Sequence, residues 1–150
     1  MNLLRTDLQT ALQNLHVGVQ ESADNLRDLA EFIDDDDVAA LFSSLADARD
    51  SLSDGLADAI RTAGDLPAAP NSEKEAGEHL IHRIRALFSA DQTVSLISQC
   101  LEAEEHLHQV LTDCDALNPE APYPHWREKV SAHLDESRAQ LEQCLKKHGG

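Results

Sequence analysis

An apolar stripe through the first part of the chain constrains its fold more than any other feature. Apolar side chains recur at alternating spacings of three and four residues between positions 4 and 33. The stripe consists of Leu4, Leu8, Leu12, Leu15, Val19, Leu26, Leu29 and Ile33, with Ser22 as its polar member. This spacing predicts a long helix that packs lengthwise against other helices, as in a coiled coil or a four-helix bundle.

The rest of the chain continues this helical pattern, and we predict one all-α domain over residues 1–150. The predicted long helices span about 2–32, 38–62, 92–116 and 124–147, and a shorter helix spans about 73–88. The run Asp34–Asp37 separates the first two helices, and we expect Asp37 to cap the second. A proline-rich loop at 118–124 separates the last two. Two antiparallel hairpins joined by a long crossover, which contains the short helix, follow from this order.

The second predicted helix has an apolar stripe of its own. Its predicted inward stripe consists of Val38, Leu41, Leu45, Ala48, Leu52, Leu56 and Ala59. Arg49 flanks this stripe, and the carboxylates of Asp47, Asp50, Asp54 and Asp58 point away from it. We therefore expect Arg49 at the border of the core and the four aspartates in solvent.

The charge of the chain limits the kind of partner that it can bind. Its 28 acidic and 12 basic residues give a formal net charge of −16. Binding to nucleic acid phosphates needs clustered Lys and Arg, so we expect no nucleic acid partner. A solvated acidic surface, as in salt-adapted proteins, is the simplest explanation, and a basic protein partner or self-association is the functional alternative.

The sequence also indicates where the protein resides. No apolar run approaches the length of a membrane span, and the first residues lack the basic region and apolar core of a signal peptide. Cys100, Cys114 and Cys144 are read as reduced core thiols, with Cys144 near the level of Cys100. Cys144 and His148 form a helical pair at a predicted frayed, solvated end. We therefore predict a cytoplasmic protein without membrane association.

Three parts of the chain resemble an uncharacterised bacterial family of ferritin-like domains. They are the stretch from Glu31 through Pro67, the predicted crossover helix at 73–88, and the run Cys100–Glu105. The resemblance implies a ferritin-like four-helix bundle. Active di-iron members of that superfamily carry a Glu on the first and third helices and Glu-x-x-His motifs on the second and fourth.

Mapped onto this chain, the family's metal ligands fall on Glu21, Asp47 with Asp50, Glu104 and His133. The two Glu-x-x-His motifs are incomplete. Asp50 stands where the second helix would carry His, and Val130 stands where the fourth helix would carry Glu. The resemblance therefore implies a metal site that has decayed.

Glu104 is the acidic residue that falls inside an apolar arc, and it gives rise to two hypotheses. A buried carboxylate needs a partner or a proton, and Arg49, His108 and His133 are available. Our preferred hypothesis is a structural polar layer, which we define as Ser22, Arg49, Glu104 and Ser137. The alternative is a non-standard centre for iron, manganese or zinc.

The ligands of that alternative centre would be Glu104, His108 and His133. With no catalytic or cofactor-binding residues predicted, we expect a non-enzymatic bundle that serves as an accessory or stress-associated binding protein. A metal-binding carboxylate protein and an acidic decoy that binds basic proteins are the two functional alternatives.

Overall fold

The computed structural model describes residues 6–67, 93–117 and 125–149, and these residues contain four α-helices. The helices are α1 (Asp7–Phe32), α2 (Asp36–Thr62), α3 (Thr93–Ala116) and α4 (His125–Lys147). Regular secondary structure in the described residues is helical throughout, which confirms the predicted all-α class. The crossover helix predicted at 73–88 lies outside the described residues.

Local sequence determines where α1 and α2 begin. Thr6 and Gln9 form a reciprocal capping box at the start of α1, with bonds of 3.1 and 2.8 Å. At the start of α2, the Asp35 side chain accepts a hydrogen bond of 3.0 Å from the backbone N–H of Val38. Asp35 is therefore the N-cap, and the prediction of Asp37 was wrong. Asp37 lies in the first turn, where its charge is favourable to the helix dipole.

Helices α1 and α2 are antiparallel to each other, and so are helices α3 and α4. Gln9, near the start of α1, donates a hydrogen bond of 2.8 Å to the carbonyl of Ala63, just after α2. Arg127, near the start of α4, forms an ion pair of 2.7 Å with Asp115, near the end of α3. The two predicted hairpins are therefore present.

The hairpins pack side by side, with α1 against α3 and α2 against α4. The buried core is divided into two clusters along the bundle. The first core cluster comprises Ala23, Leu26, Leu29, Ile33, Val38, Phe42, Leu45, Ala46, Leu96, Ile97, Cys100 and Leu141. The second core cluster comprises Ala11, Leu15, Val19, Leu56, Leu107, Leu111, Cys114, Val130 and Leu134.

These clusters also define the direction of each helix. Both α2 and α3 run from the first core cluster to the second, whereas α1 and α4 run the opposite way. Pro67 and Thr93 are the described residues nearest the gap at 68–92. Pro67 follows α2 and Thr93 begins α3, so the two residues lie at opposite ends of the bundle.

The buried face of α2 differs from the predicted stripe. It comprises Val38, Phe42, Leu45, Ala46, Arg49, Ser53, Leu56 and Ile60. Ala48 is exposed, and Leu41, Leu52 and Ala59 are only partly buried. The prediction counted apolar residues alone, and it therefore rotated the helix away from two polar residues, Arg49 and Ser53, that occupy inward positions.

Candidate functional site

The residues of the polar layer lie between the two core clusters, with one on each helix. On α1, Ser22 comes directly before Ala23, which belongs to the first core cluster. On α4, Ser137 lies between Leu134 of the second core cluster and Leu141 of the first. The layer therefore separates the two apolar clusters at the middle of the core. Such positions in helical bundles are where polar and metal sites are built.

Arg49 is the centre of the layer and connects all four helices. Its side chain is 2% exposed. The Nη1 group donates to Ser22 Oγ on α1, and Nη2 donates to Glu104 Oε1 on α3 and, at 2.9 Å, to Ser137 Oγ on α4. The Nε group donates to His133 Nε2, also on α4, at 3.1 Å. Each of the three guanidinium nitrogens thus has an acceptor on another helix.

Glu104 supplies the negative charge that the buried guanidinium requires. Its side chain is also 2% exposed, and its Oε1 atom forms the ion pair with Arg49. The second carboxylate oxygen, Oε2, is buried and has no hydrogen-bond partner among the described residues. Two isolated charges at this depth would each cost several kcal/mol in lost hydration, and pairing offsets that cost only when the geometry is favourable.

His133 completes the set of Arg49 acceptors. Because Nε2 accepts the Arg49 hydrogen bond, the proton of the neutral ring is on Nδ1. Burial, together with the positive charge of Arg49, lowers the pKa of His133 to about 4. The imidazole is therefore neutral near pH 7 and accepts a proton only in acid.

The structure does not assemble Glu104, His108 and His133 into a metal site. Arg49 contacts both Glu104 and His133, so a positive charge already occupies the space between them. His108 Nε2 instead lies 3.8 Å from Asp135 Oδ1, near the surface of α4. Among the described residues, no group of three or more His, Cys, Asp or Glu side chains could hold a metal ion. This donor set does not fit a metal centre.

The other residues that the family resemblance implied are Asp47, Asp50 and Glu21. Asp47 and Asp50 are exposed, and both bind the guanidinium of Arg27, with Asp47 at 3.0 Å. Glu21 is partly buried on α1, one position before Ser22. Among the mapped positions, Glu104 and His133 therefore both contact Arg49.

A second buried polar pair was missed in the sequence. His16 on α1 is 3% exposed, and its Nε2 atom lies 3.2 Å from Ser53 Oγ on α2. Burial lowers the pKa of His16, and the charge of Arg61 acts in the same direction. The position of His16, directly after the core residue Leu15, was the signal that could have placed it in the core. A count of apolar residues left it out because its side chain is polar.

No helix in the described parts of the chain is long and apolar enough to cross a lipid bilayer. No protein-family model matches the chain, and the comparisons with curated proteins and with solved structures also give no match.

Proposed function

We propose that this chain is a non-enzymatic, ferritin-like bundle in which Arg49 takes the place of a metal ion. We further propose a cytoplasmic role as an accessory or stress-associated binding protein. One observation carries the first proposal: the guanidinium of Arg49 contacts Glu104 and His133, the mapped metal-ligand positions on α3 and α4.

The order and direction of the helices support the ferritin-like part of the proposal. Helices α2 and α3 are parallel and belong to different antiparallel hairpins. Four-helix bundles with one long crossover connection have this arrangement, and ferritin-like proteins are among them. Fold alone does not establish activity, so the functional argument depends on the polar layer.

The chemistry of Arg49 supports a structural role for the layer. A guanidinium is planar, and its fixed donors match several acceptors at once. Glu104 neutralises the positive charge, and Ser22, His133 and Ser137 accept hydrogen bonds from the guanidinium. A divalent cation placed among these groups would be repelled by Arg49. The polar layer therefore aligns the four helices relative to one another and does not bind a metal ion.

The binding role is proposed from the outer surface of the bundle. Asp47, Asp50, Asp54 and Asp58 are all exposed on α2. Arg27 and Arg61 pair with three of these four, leaving Asp54 as a further exposed carboxylate on the same helix. A surface with this excess of carboxylates favours a partner rich in Lys and Arg.

Metal analysis tests the first proposal. The wild-type protein and the Glu104→Ala variant, purified without a His tag, are incubated with ferrous iron, manganese and zinc and then desalted. We expect background metal in both proteins. One or two equivalents in the wild type that are lost in the variant would overturn the proposal.

Two further variants keep the metal experiment interpretable. Glu104→Gln retains an acceptor for Arg49 and replaces Glu104→Ala if the latter fails to fold. Glu105→Ala removes an exposed carboxylate of the same helix, which pairs with Arg138 at the surface. Metal that is lost equally in Glu105→Ala would come from the surface and would leave the proposal standing.

Binding to a lysine-rich peptide tests the partner class separately. We expect measurable affinity for that peptide at low salt, a steep loss of affinity as salt increases, and no binding to a glutamate-rich peptide of the same length. Equal binding of both peptides, or no binding of either at low salt, would overturn the basic-partner proposal.

A further inference from the structure

A contact between distant parts of the chain joins the start of α2 to the turn after α4. His148 Nε2 lies 2.9 Å from Asp35 Oδ2. Asp35 is also the N-cap of α2, and it uses its other carboxylate oxygen to accept from the N–H of Val38. One carboxylate therefore caps one helix and binds the residue that follows another.

The second nitrogen of the His148 ring is engaged as well. Nδ1 lies 2.9 Å from the carbonyl oxygen of Cys144, in the last turn of α4. Both neighbours of the ring, a carboxylate oxygen and a carbonyl oxygen, are hydrogen-bond acceptors. A neutral imidazole carries one N–H and can donate to only one of them, whereas an imidazolium donates to both. The geometry therefore selects the doubly protonated ring.

The charges around the ring are consistent with this protonation state. The Cys144 carbonyl and then the Asp35 carboxylate raise the pKa of His148, while partial burial and Lys147 oppose them. Burial raises the pKa of the nearby Cys144 thiol, and the negative charges of Asp35 and Asp37, both at the start of α2, act in the same direction. A cation at this position is also favourable to the carbonyl end of α4.

Cys144 lies beside this contact. Its sulfur lies 3.9 Å from His148 Nδ1, and its side chain is partly buried against the first core cluster. Cys100 and Cys114 are buried inside the bundle. Cys144, which is only partly buried, is thus the cysteine that lies against the His148 ring.

We propose that Asp35 and His148 form a pH-sensitive clamp, which holds the turn after α4 against the start of α2 while the imidazole carries two protons and releases it when the imidazole carries one. The clamp is closed in mild acid and opens as the pH rises above 6.5, the ordinary pKa of histidine, through the raised pKa of His148. Its opening exposes the Cys144 thiol.

The rate at which an alkylating reagent modifies Cys144 tests the clamp. Peptide mapping separates Cys144 from the other two cysteines, and the rates are compared in the wild type and in His148→Gln between pH 6 and pH 9. Taking the ratio of the two rates at each pH cancels most of the increase in thiolate that occurs with pH. We expect Cys144 to react faster in His148→Gln than in the wild type, on the order of tenfold at pH 6, and the two rates to become nearly equal at pH 9.

Asp35→Asn is the matched variant. Asparagine caps a helix as well as aspartate does, so α2 keeps its N-cap while His148 loses its charged partner. We expect faster modification of Cys144 at pH 6, as in His148→Gln, and a lower His148 pKa by NMR titration. A rate ratio that does not change with pH, or an unchanged His148 pKa in Asp35→Asn, would overturn the proposal.

Discussion

The guanidinium of Arg49 on α2 and the carboxylate of Glu104 on α3 pair across the centre of the bundle, and each side chain is 2% exposed. These two helices belong to different hairpins, and the pair lies between the two apolar clusters of the core. The ion pair therefore connects the hairpins where apolar packing is interrupted. Removing one partner of such a buried pair leaves an uncompensated charge and is strongly destabilising, whereas replacing both partners by apolar residues is often neutral.

Arg49→Lys should destabilise the protein although it keeps the charge. An ammonium group is compact and cannot reach acceptors on three helices at once, so buried acceptors lose their donors. We expect the free energy of unfolding to fall by about 2–4 kcal/mol. Urea unfolding followed by circular dichroism measures this change.

Arg27→Lys is the control for that substitution. Arg27 also pairs with two carboxylates, but those pairs are at the surface. The expected change is within about 0.5 kcal/mol. Equal losses in both variants would mean that the burial of Arg49 has no special energetic consequence.

Acid should destabilise the protein through His133. The His133 ring has a pKa of about 4 in the folded protein, against 6.5 for an ordinary histidine, so the unfolded chain takes up the proton first as the pH falls. Stability is therefore lost between pH 6.5 and pH 4, by at most about 3 kcal/mol. His133→Gln keeps an acceptor for Arg49 and should flatten this dependence.

His106→Gln removes an exposed histidine of α3 and should leave the pH dependence of stability unchanged. Urea unfolding at half-unit pH steps makes the comparison. A wild-type profile that His133→Gln does not alter would show that another group determines acid sensitivity.

Two glycines within helices should respond differently to alanine. A Cβ atom at Gly18 would lie 3.0 Å from Leu107 Cδ2, so the Leu107 side chain on α3 would have to shift. At Gly55 a Cβ atom would meet nothing within 4 Å. Gly55→Ala should stabilise the protein by about 0.5–1 kcal/mol, because alanine favours the helix. Gly18→Ala should gain less or destabilise.

Thermal unfolding of the two alanine variants provides the comparison. A larger gain for Gly18→Ala than for Gly55→Ala would contradict the close approach of α1 and α3.

Salt should stabilise the protein. With a net charge of −16, the folded chain is subject to self-repulsion, which added ions screen. We expect Tm to rise by about 3 °C or more between 0.05 and 1 M sodium chloride. Differential scanning calorimetry measures the shift. A Tm that falls over this range would mean that surface ion pairs outweigh the repulsion.

Local signals explain why much of the fold could be predicted. The apolar stripe predicted α1, and the Asp34–Asp37 run marked its end. The start of α2 was placed two residues too late, because four consecutive aspartates are chemically equivalent as caps. The Val38 N–H selects Asp35 among them.

The site was less accessible from the sequence, because its contacts join distant residues. Arg49 and Glu104 were grouped in one layer, but the periodicity gave Arg49 a position beside the apolar stripe rather than within it. His148 was expected at a solvated end, yet its partner Asp35 lies 113 positions away. A count of apolar residues contains no information on such pairs.

A double-mutant cycle on Arg49 and Glu104 tests the central claim most directly. The free energies of unfolding of Arg49→Met, Glu104→Met and the double variant are compared with that of the wild type. We predict that each single substitution costs about 3–5 kcal/mol, because it leaves one buried charge without its partner, and that the double variant recovers most of this loss. Costs that add to within about 0.5 kcal/mol would show that the two residues do not act as a pair, and would contradict the account.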